Sequence, residues 1–216
     1  ELKAILNKYE AASGQLINLE KSSVFFSKNV EQRVKEAIGE ELRGIRAVHQ
    51  GKYLGLPMII TRSKEQIFGF IRVNIRKKMK HWKTKLLSQA GKETLLKAIT
   101  MAMPTYAMSC YKLPQKLCKE ISSLMAKSWW GQKEKKDKQH WIAWERCTRF
   151  KEEGGMGFKD IQQFNKALLA KQVWRIMTQL NLLVSKFLKS KYFKDGSMLE
   201  SKIPKNASWI WQSLMS

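Results

Sequence analysis

The sequence predicts a mainly α fold with a small α+β part at its N-terminus. Three observations carry this. From about residue 63 onward, apolar residues recur every three or four positions, the period of a helix packed along one side. Before residue 61 the apolar runs are shorter and alternate with turn-forming residues, which reads as mixed helix and strand. The 216 residues, 44% hydrophobic, are enough for one sizeable core or two small ones and too apolar for disorder.

Taken in order, residues 2–12 are expected as a helix with Leu2, Ile5, Leu6 and Tyr9 on one face, broken by Ser13-Gly14. Leu16 to Leu19 and Val24 to Phe26 read as short strands around a turn. A second helix is expected over 30–42, with Val34, Ile38 and Leu42 four apart. Tyr53-Leu54-Gly55-Leu56-Pro57 reads as a strand or hairpin ended by proline. A long helix follows over 63–82, capped by Ser63 with Gln66 three residues on.

The next helix is expected over 92–111, with Leu95, Ile99, Ala102 and Tyr106 inward and a kink or split at Pro104. A third starts with Pro114 at its first position, buries Leu117, Ile121 and Leu124, and stops at Trp129-Trp130-Gly131. Residues 132–140, QKEKKDKQH, read as a polar linker. Residues 141–144 read as a strand or turn, and Gly154-Gly155-Met156-Gly157 as a turn. Asp160 with Gln163 caps a helix carrying Ile161, Phe164, Leu168, Val173 and Ile176. Helices near 182–192 and 209–214 complete the chain. The expected division is 1–61, 62–131 and 132–216.

The charge is lopsided. There are 41 Lys and Arg against 18 Asp and Glu, a formal net charge of +23. Self-repulsion on that scale opposes a compact state unless a polyanion binds, which makes nucleic acid the expected partner ahead of an anionic membrane surface. No apolar run reaches the ~20 residues of a membrane span, and the N-terminus has no signal-peptide pattern. The chain does not begin with Met, which points to a piece of a longer product. The cysteines, Cys110, Cys118 and Cys147, form no CxxC and read as small buried hydrophobes in a reducing compartment.

The charge concentrates in one helix. Ile67, Ile71, Ile75, Met79, Trp82 and Leu86 form a stripe at helical spacing, and Arg72, Arg76, Lys80 and Lys83 form another on an adjoining face. Four helical residues rise about 6 Å, comparable to successive phosphates along a strand. Residues 62–97 hold eleven Lys or Arg and two Glu, so the interleaved acids of an ordinary solvated helix are missing. The candidate backbone-binding residues are Arg72, Arg76, Lys77, Lys80, Lys83 and Lys85; an inert charged face is the bland alternative. Trp129, Trp130, Trp141, Trp144 and Trp174 are candidates for stacking on unpaired bases or for the core.

Chemistry by two metals needs clustered carboxylates. The three aspartates, Asp137, Asp160 and Asp195, stand apart, as do His49, His81 and His140. There is no HExxH, GxSxG or P-loop pattern. No catalytic or metal residue is assigned from the pattern, and no cofactor.

Several stretches carry a family likeness: SGQLINLEKSSVFFS (13–27), KYLGLPM (52–58), WKTKLLSQAGKETLLKAITMAMPTYAMSCYKLP (82–114), WW (129–130), IAWERCTRFKEEGGMGFKDIQQFNKALLAKQVWRI (142–176) and SKYF (190–193). Together they resemble the end of the palm and the region downstream of it in reverse transcriptases of plant LINE-type non-LTR retrotransposons. The resemblance implies that 1–61 is the closing part of a palm, 62–131 a helical thumb-like bundle and 132–216 a helical connection-like region. It implies that the magnesium-binding aspartates lie upstream of residue 1. It matches Lys21 to a lysine near the incoming nucleotide, where it can act as a general acid toward pyrophosphate. It matches Tyr53, Leu54 and Gly55 to a primer-grip hairpin in which glycine allows close backbone approach.

The implied partners are RNA or an RNA–DNA heteroduplex and the remainder of the reverse transcriptase polypeptide, with no membrane. The implied function is a fragment of an RNA-directed DNA polymerase that holds the template–primer backbone without the catalytic aspartates. The alternative is a helical structural remnant of a retroelement with no specific ligand.

Overall fold

The computed structural model describes residues 1–27, 29–42, 45–48, 52–53, 55–57, 64–83, 87–131, 140–194 and 196–216. Among them the chain is mainly helical, and the few strands all lie in the first sixty residues. The chain divides into two compact units, Glu1–Ile60 and Thr61–Ser216.

In the first unit, α1 (Leu2–Ser13) ends at Gly14, whose backbone N–H donates to the Glu10 carbonyl. Strand β1 (Ser23–Val24) pairs in parallel with β2 (Arg46–Ala47), and α2 (Gln32–Glu41) makes the crossover that parallel pairing requires. Strands β3 (Lys52–Tyr53) and β4 (Leu56–Pro57) form the expected hairpin, with Tyr53 opposite Leu56. The strand expected over Leu16 to Leu19 does not form. Leu16 is 86% exposed, and the Asn18 side chain instead accepts from the Lys21 backbone N–H, closing a turn. Val24 alone of Val24 to Phe26 joins a strand. No residue of α1 or α2 is buried.

The second unit holds the deep core. Helix α3 (Lys64–Lys83) buries Ile67, Ile71, Ile75 and Met79, as its period predicts, and Phe68 besides. The side chain of Trp82 and all of Leu86 and Ser63 lie outside the described residues. Helix α4 (Gln89–Leu95) is capped by Ser88, whose hydroxyl accepts from the Gly91 N–H. It runs into a π turn, Leu96–Thr100, and the chain restarts after Pro104 as α5 (Thr105–Cys110). The split at Pro104 is the expected one; of the expected inward positions, Leu95 and Ile99 are half-buried and the other two are not inward. Ala102 and Tyr106 are exposed, while Leu96, Thr100, Met101, Ala107 and Met108 are buried. Two departures from the α phase precede Tyr106: the Met101 N–H reaches back five residues to the Leu96 carbonyl, and the Thr105 N–H reaches back only three, to the Ala102 carbonyl.

Helix α6 (Gln115–Trp129) buries Leu117, Cys118, Ile121 and Met125, with Leu124 half-buried. Pro114 sits one position outside it, with an extended ψ of 138°. Residues 141–142 form a bend, and Trp144, expected to end a strand or turn over 141–144, instead opens a short helix, α7 (Trp144–Cys147). The following glycine run is a folded turn. A Cβ on Gly155 would lie 2.2 Å from the Arg149 carbonyl oxygen, so only glycine fits there.

Helix α8 (Ile161–Thr178) is capped by Asp160, which accepts from the Gln163 N–H at 2.7 Å. It lies against α5 and α6, so the expected 131–132 boundary falls inside one unit; residues 132–139 lie outside the described residues. Its deepest polar residue is Asn165, whose amide donates to the carbonyls of Met108 and Tyr111 and accepts from the Leu113 N–H. Three bonds satisfy it, which is why an amide can stand there among apolar neighbours. Helices α9 (Leu183–Tyr192) and α10 (Trp209–Leu214) close a second cluster around Trp211, with Ile176, Leu188 and Met198.

Candidate nucleic-acid interface

On α3 the buried stripe fixes where the cations point. Ile71, Ile75 and Met79 face inward, so Arg76, Lys77, Lys78 and Lys80 are left exposed. Arg76 and Lys80 are four apart and Lys77 and Lys80 three apart, so they are neighbours on the helix surface. None of them has an ion pair among the described residues. Among the described residues no acid answers their repulsion, and a polyanion relieves it.

Arg72 behaves differently from the rest of the expected row. It donates to Glu120 of α6 at 2.6 Å, and both side chains are partly shielded, 40% and 32% exposed. Beside it, Lys116 of α6 lies 3.2 Å from Glu65 of α3. These two crossed pairs tie α3 to α6. Arg72 is therefore a docking residue of the helix pair, with much of its charge already answered. Of the other two candidates, the side chain of Lys83 and all of Lys85 lie outside the described residues.

The hairpin candidates divide similarly. Leu54 and the side chain of Tyr53 lie outside the described residues. Gly55 has φ 79°, the left-handed turn position that glycine adopts without strain, and a Cβ there would meet nothing within 4 Å. The turn's backbone angle, rather than a close approach, sets the need for glycine. Lys21 is exposed on the turn built by Asn18. Among the described residues no group of three or more His, Cys, Asp or Glu is placed to hold a metal ion. Within the same set, no helix is long and apolar enough to cross a membrane.

The tryptophans separate by environment. Trp129 packs edge-on against Phe158 at 5.4 Å, and Trp144 stacks on the same ring at 5.0 Å. Trp130 is half-buried beneath His140. Trp141 and Trp174 are open, 79% and 69% exposed. Sequence reasoning missed Trp209, which stacks on Tyr111 at 5.1 Å with Lys64 4.8 Å above its ring. It also missed Glu120, whose place opposite Arg72 leaves no local signature.

Two of the thiols are buried, and burial pushes Cys118 up to about 11, which leaves it an inert apolar group. Glu93 takes a hydrogen bond from Lys97 at 2.7 Å with Lys151 3.6 Å away, and Lys97 also donates to the Met156 carbonyl. This cluster pins the glycine turn to α4.

No family model matches the chain. It is 45% identical over 116 residues to an uncharacterized mitochondrial protein of Arabidopsis thaliana, AtMg00310, covering 53% of this chain and 75% of that protein. It is also 34% identical over 163 residues to a putative ribonuclease H protein of the same plant, At1g65750, covering 74% of this chain and 26% of that protein.

Proposed function

We propose, from the premise that this chain belongs to the family of the uncharacterized mitochondrial protein AtMg00310, that it is a retroelement-derived piece that holds the backbone of a nucleic-acid duplex with α3. The observation that carries the reading is the exposed set Arg76, Lys77 and Lys80, held outward by Ile75 and Met79 and free of acid partners among the described residues. The second relative supports it, because a putative ribonuclease H belongs to nucleic-acid chemistry. So does the likeness of residues 13–27, 52–58, 82–114, 129–130, 142–176 and 190–193 to plant LINE-type reverse transcriptases. In that reading α3 is a thumb-like helix, its ligand is RNA or an RNA–DNA heteroduplex, and Lys21 with the Tyr53–Gly55 hairpin serves the palm.

The partner implied for residues 1–60 is the remainder of the polymerase polypeptide. That unit supports the idea with an apolar face that it does not cover itself: Leu2, Ile5 and Tyr9 on α1, and Val34 and Ile38 on α2. Magnesium belongs to the upstream aspartates of such a polypeptide. The role of this chain is to position a strand rather than to cut or join one.

The test is binding of a labelled RNA–DNA hybrid by fluorescence anisotropy over a salt series. Phosphate contacts give a log–log slope of about −0.9 per neutralised phosphate. Changing Arg76, Lys77 and Lys80 together to Gln should weaken binding for every sequence and flatten the slope by roughly three. An unchanged slope removes α3 from the interface. Aggregation without any salt-dependent affinity would favour an inert structural remnant.

A further inference from the structure

We propose that the outward faces of α8 and α9, from Trp174 to Phe187, form a second nucleic-acid contact, one that takes the unpaired bases of a single strand. It is separate from the α3 row and does not depend on it.

The first observation is charge. From residue 161 to residue 194 there are seven Lys or Arg, at 166, 171, 175, 186, 189, 191 and 194, and no Asp or Glu. All seven are exposed, and none makes an ion pair among the described residues. An acid-free cationic surface across two successive helices is complementary to a polyanion.

The second observation is the apolar surface set among those charges. Helix α8 is anchored through Asn165, Leu169 and Ile176. Trp174 is nine residues from Asn165, which on a helix is half a turn away, so it faces outward at 69% exposure. Along the elbow and α9 follow Leu180, Leu183, Val184 and Phe187, exposed 55%, 84%, 47% and 57%. Ser185 and Leu188 carry α9 inward, so these side chains are not needed for its packing. Single exposed apolar residues are ordinary, but five within fourteen positions concentrate open apolar surface among the cations.

The third observation decides the occupant. Trp174 is flanked on α8 by Lys171, one turn back, and by Arg175; the Lys191 ammonium lies 5.8 Å from the Phe187 ring. Aromatic planes with cations alongside match the alternation of bases and phosphates in a single strand. A lipid surface asks for one continuous apolar face along a helix. Here α9 offers little more than one turn of such a face, Leu183 to Phe187, and Trp174 stands on another helix with Lys171 one turn back. Bases stack on Trp174 and Phe187, Leu183 and Val184 supply apolar floor between them, and Lys171, Arg175 and Lys186 answer the phosphates.

The experiment uses the full chain and a fluorescein-labelled oligouridylate, read by anisotropy at two salt concentrations. Stacking on one aromatic residue accounts for about tenfold or more in affinity. Trp174→Ala should lose about that factor, Trp174→Phe should keep most of it, and Trp174→Ala with Phe187→Ala should lose more. The hybrid-binding salt slope set by Arg76, Lys77 and Lys80 should not move, and the α3 triple variant should keep its dependence on Trp174. Thermal melts should match wild type, because both rings are outside the core. Full oligouridylate affinity in the double variant overturns the proposal. So does a Trp174-dependent flotation with phosphatidylserine–phosphatidylcholine vesicles at physiological salt in the absence of oligouridylate binding, which assigns the face to membrane. A dimer in light scattering that Trp174→Ala abolishes assigns it to self-association and overturns the proposal equally.

Discussion

Helices α3 and α8 are both long and basic, yet they meet their neighbours by opposite means. Helix α3 docks through an apolar stripe, Ile67, Ile71, Ile75 and Met79, and is fastened at its edge by ion pairs to α6. Helix α8 docks on α5 through an amide, Asn165, with apolar groups above and below it. Part of the charge on α3 is answered by an acid of α6; among the described residues, that on α8 is not. A count of lysines and arginines would rank the two helices together. What separates them is which acids the fold brings alongside.

The contrast can be broken most severely at Asn165. Asn165→Ala strands the Leu113 N–H and the carbonyls of Met108 and Tyr111, each a buried group costing about 1–3 kcal/mol when unpaired. Urea denaturation should show a loss of about 3 kcal/mol or more. Ile75→Ala on α3 should cost about 2–5 kcal/mol, through a cavity alone. A change at Asn165 within 1 kcal/mol of wild type would mean that α8 is held by its apolar contacts, as α3 is.

A smaller effect sharpens the α3 side. Glu120→Gln leaves a neutral partner beside Arg72 and returns its charge to the surface. Stability should fall by about 1 kcal/mol or less, as suits a pair that is partly exposed. Affinity for the hybrid should rise, with a steeper salt slope, which anisotropy reads directly. If Glu120→Gln weakened binding instead, Arg72 would have to be placed in the interface by its pairing rather than withdrawn from it.

The smallest effect lies outside both helices and serves as their control. The hydrogen bond from Lys97 holds the Glu93 carboxyl below its ordinary range; burial opposes this, and the charges of Lys97 and Lys151 add to it. In the unfolded chain Glu93 takes up its proton at a higher pH. The stability it contributes is therefore complete above the ordinary glutamate pKa and is lost as pH falls through the lowered folded value. Glu93→Gln should flatten the acid limb of a plot of urea midpoint against pH and leave the neutral range nearly level. An identical acid limb in the two proteins would show that Glu93 contributes nothing to acid sensitivity.

Much of the fold was legible because helical period is local. The ends of α1, α6 and α9, the Asp160 cap and the break at Pro104 all follow from residues within a turn of one another. The misreadings have specific causes. Asn18 offered the backbone a turn where Leu16 to Leu19 suggested a strand. The π turn at 96–100 and the tight turn before Thr105 together took Tyr106 out of the expected inward phase. Asn165 was passed over because a polar residue in a helix ordinarily faces water, and its three partners lie more than fifty residues upstream.

Sequence alone determined the mainly helical character, the net charge of +23 and the inner stripe of α3. Each of these is a property of composition or of near neighbours. Only the tertiary structure decided that Arg72 is paired while Arg76, Lys77 and Lys80 have no ion pair among the described residues, and that Trp129 is buried while Trp174 is open. The physical reason is sequence separation. Glu120 sits forty-eight residues from Arg72, so their ion pair exists only once α3 and α6 have packed. No local period encodes which two helices will meet.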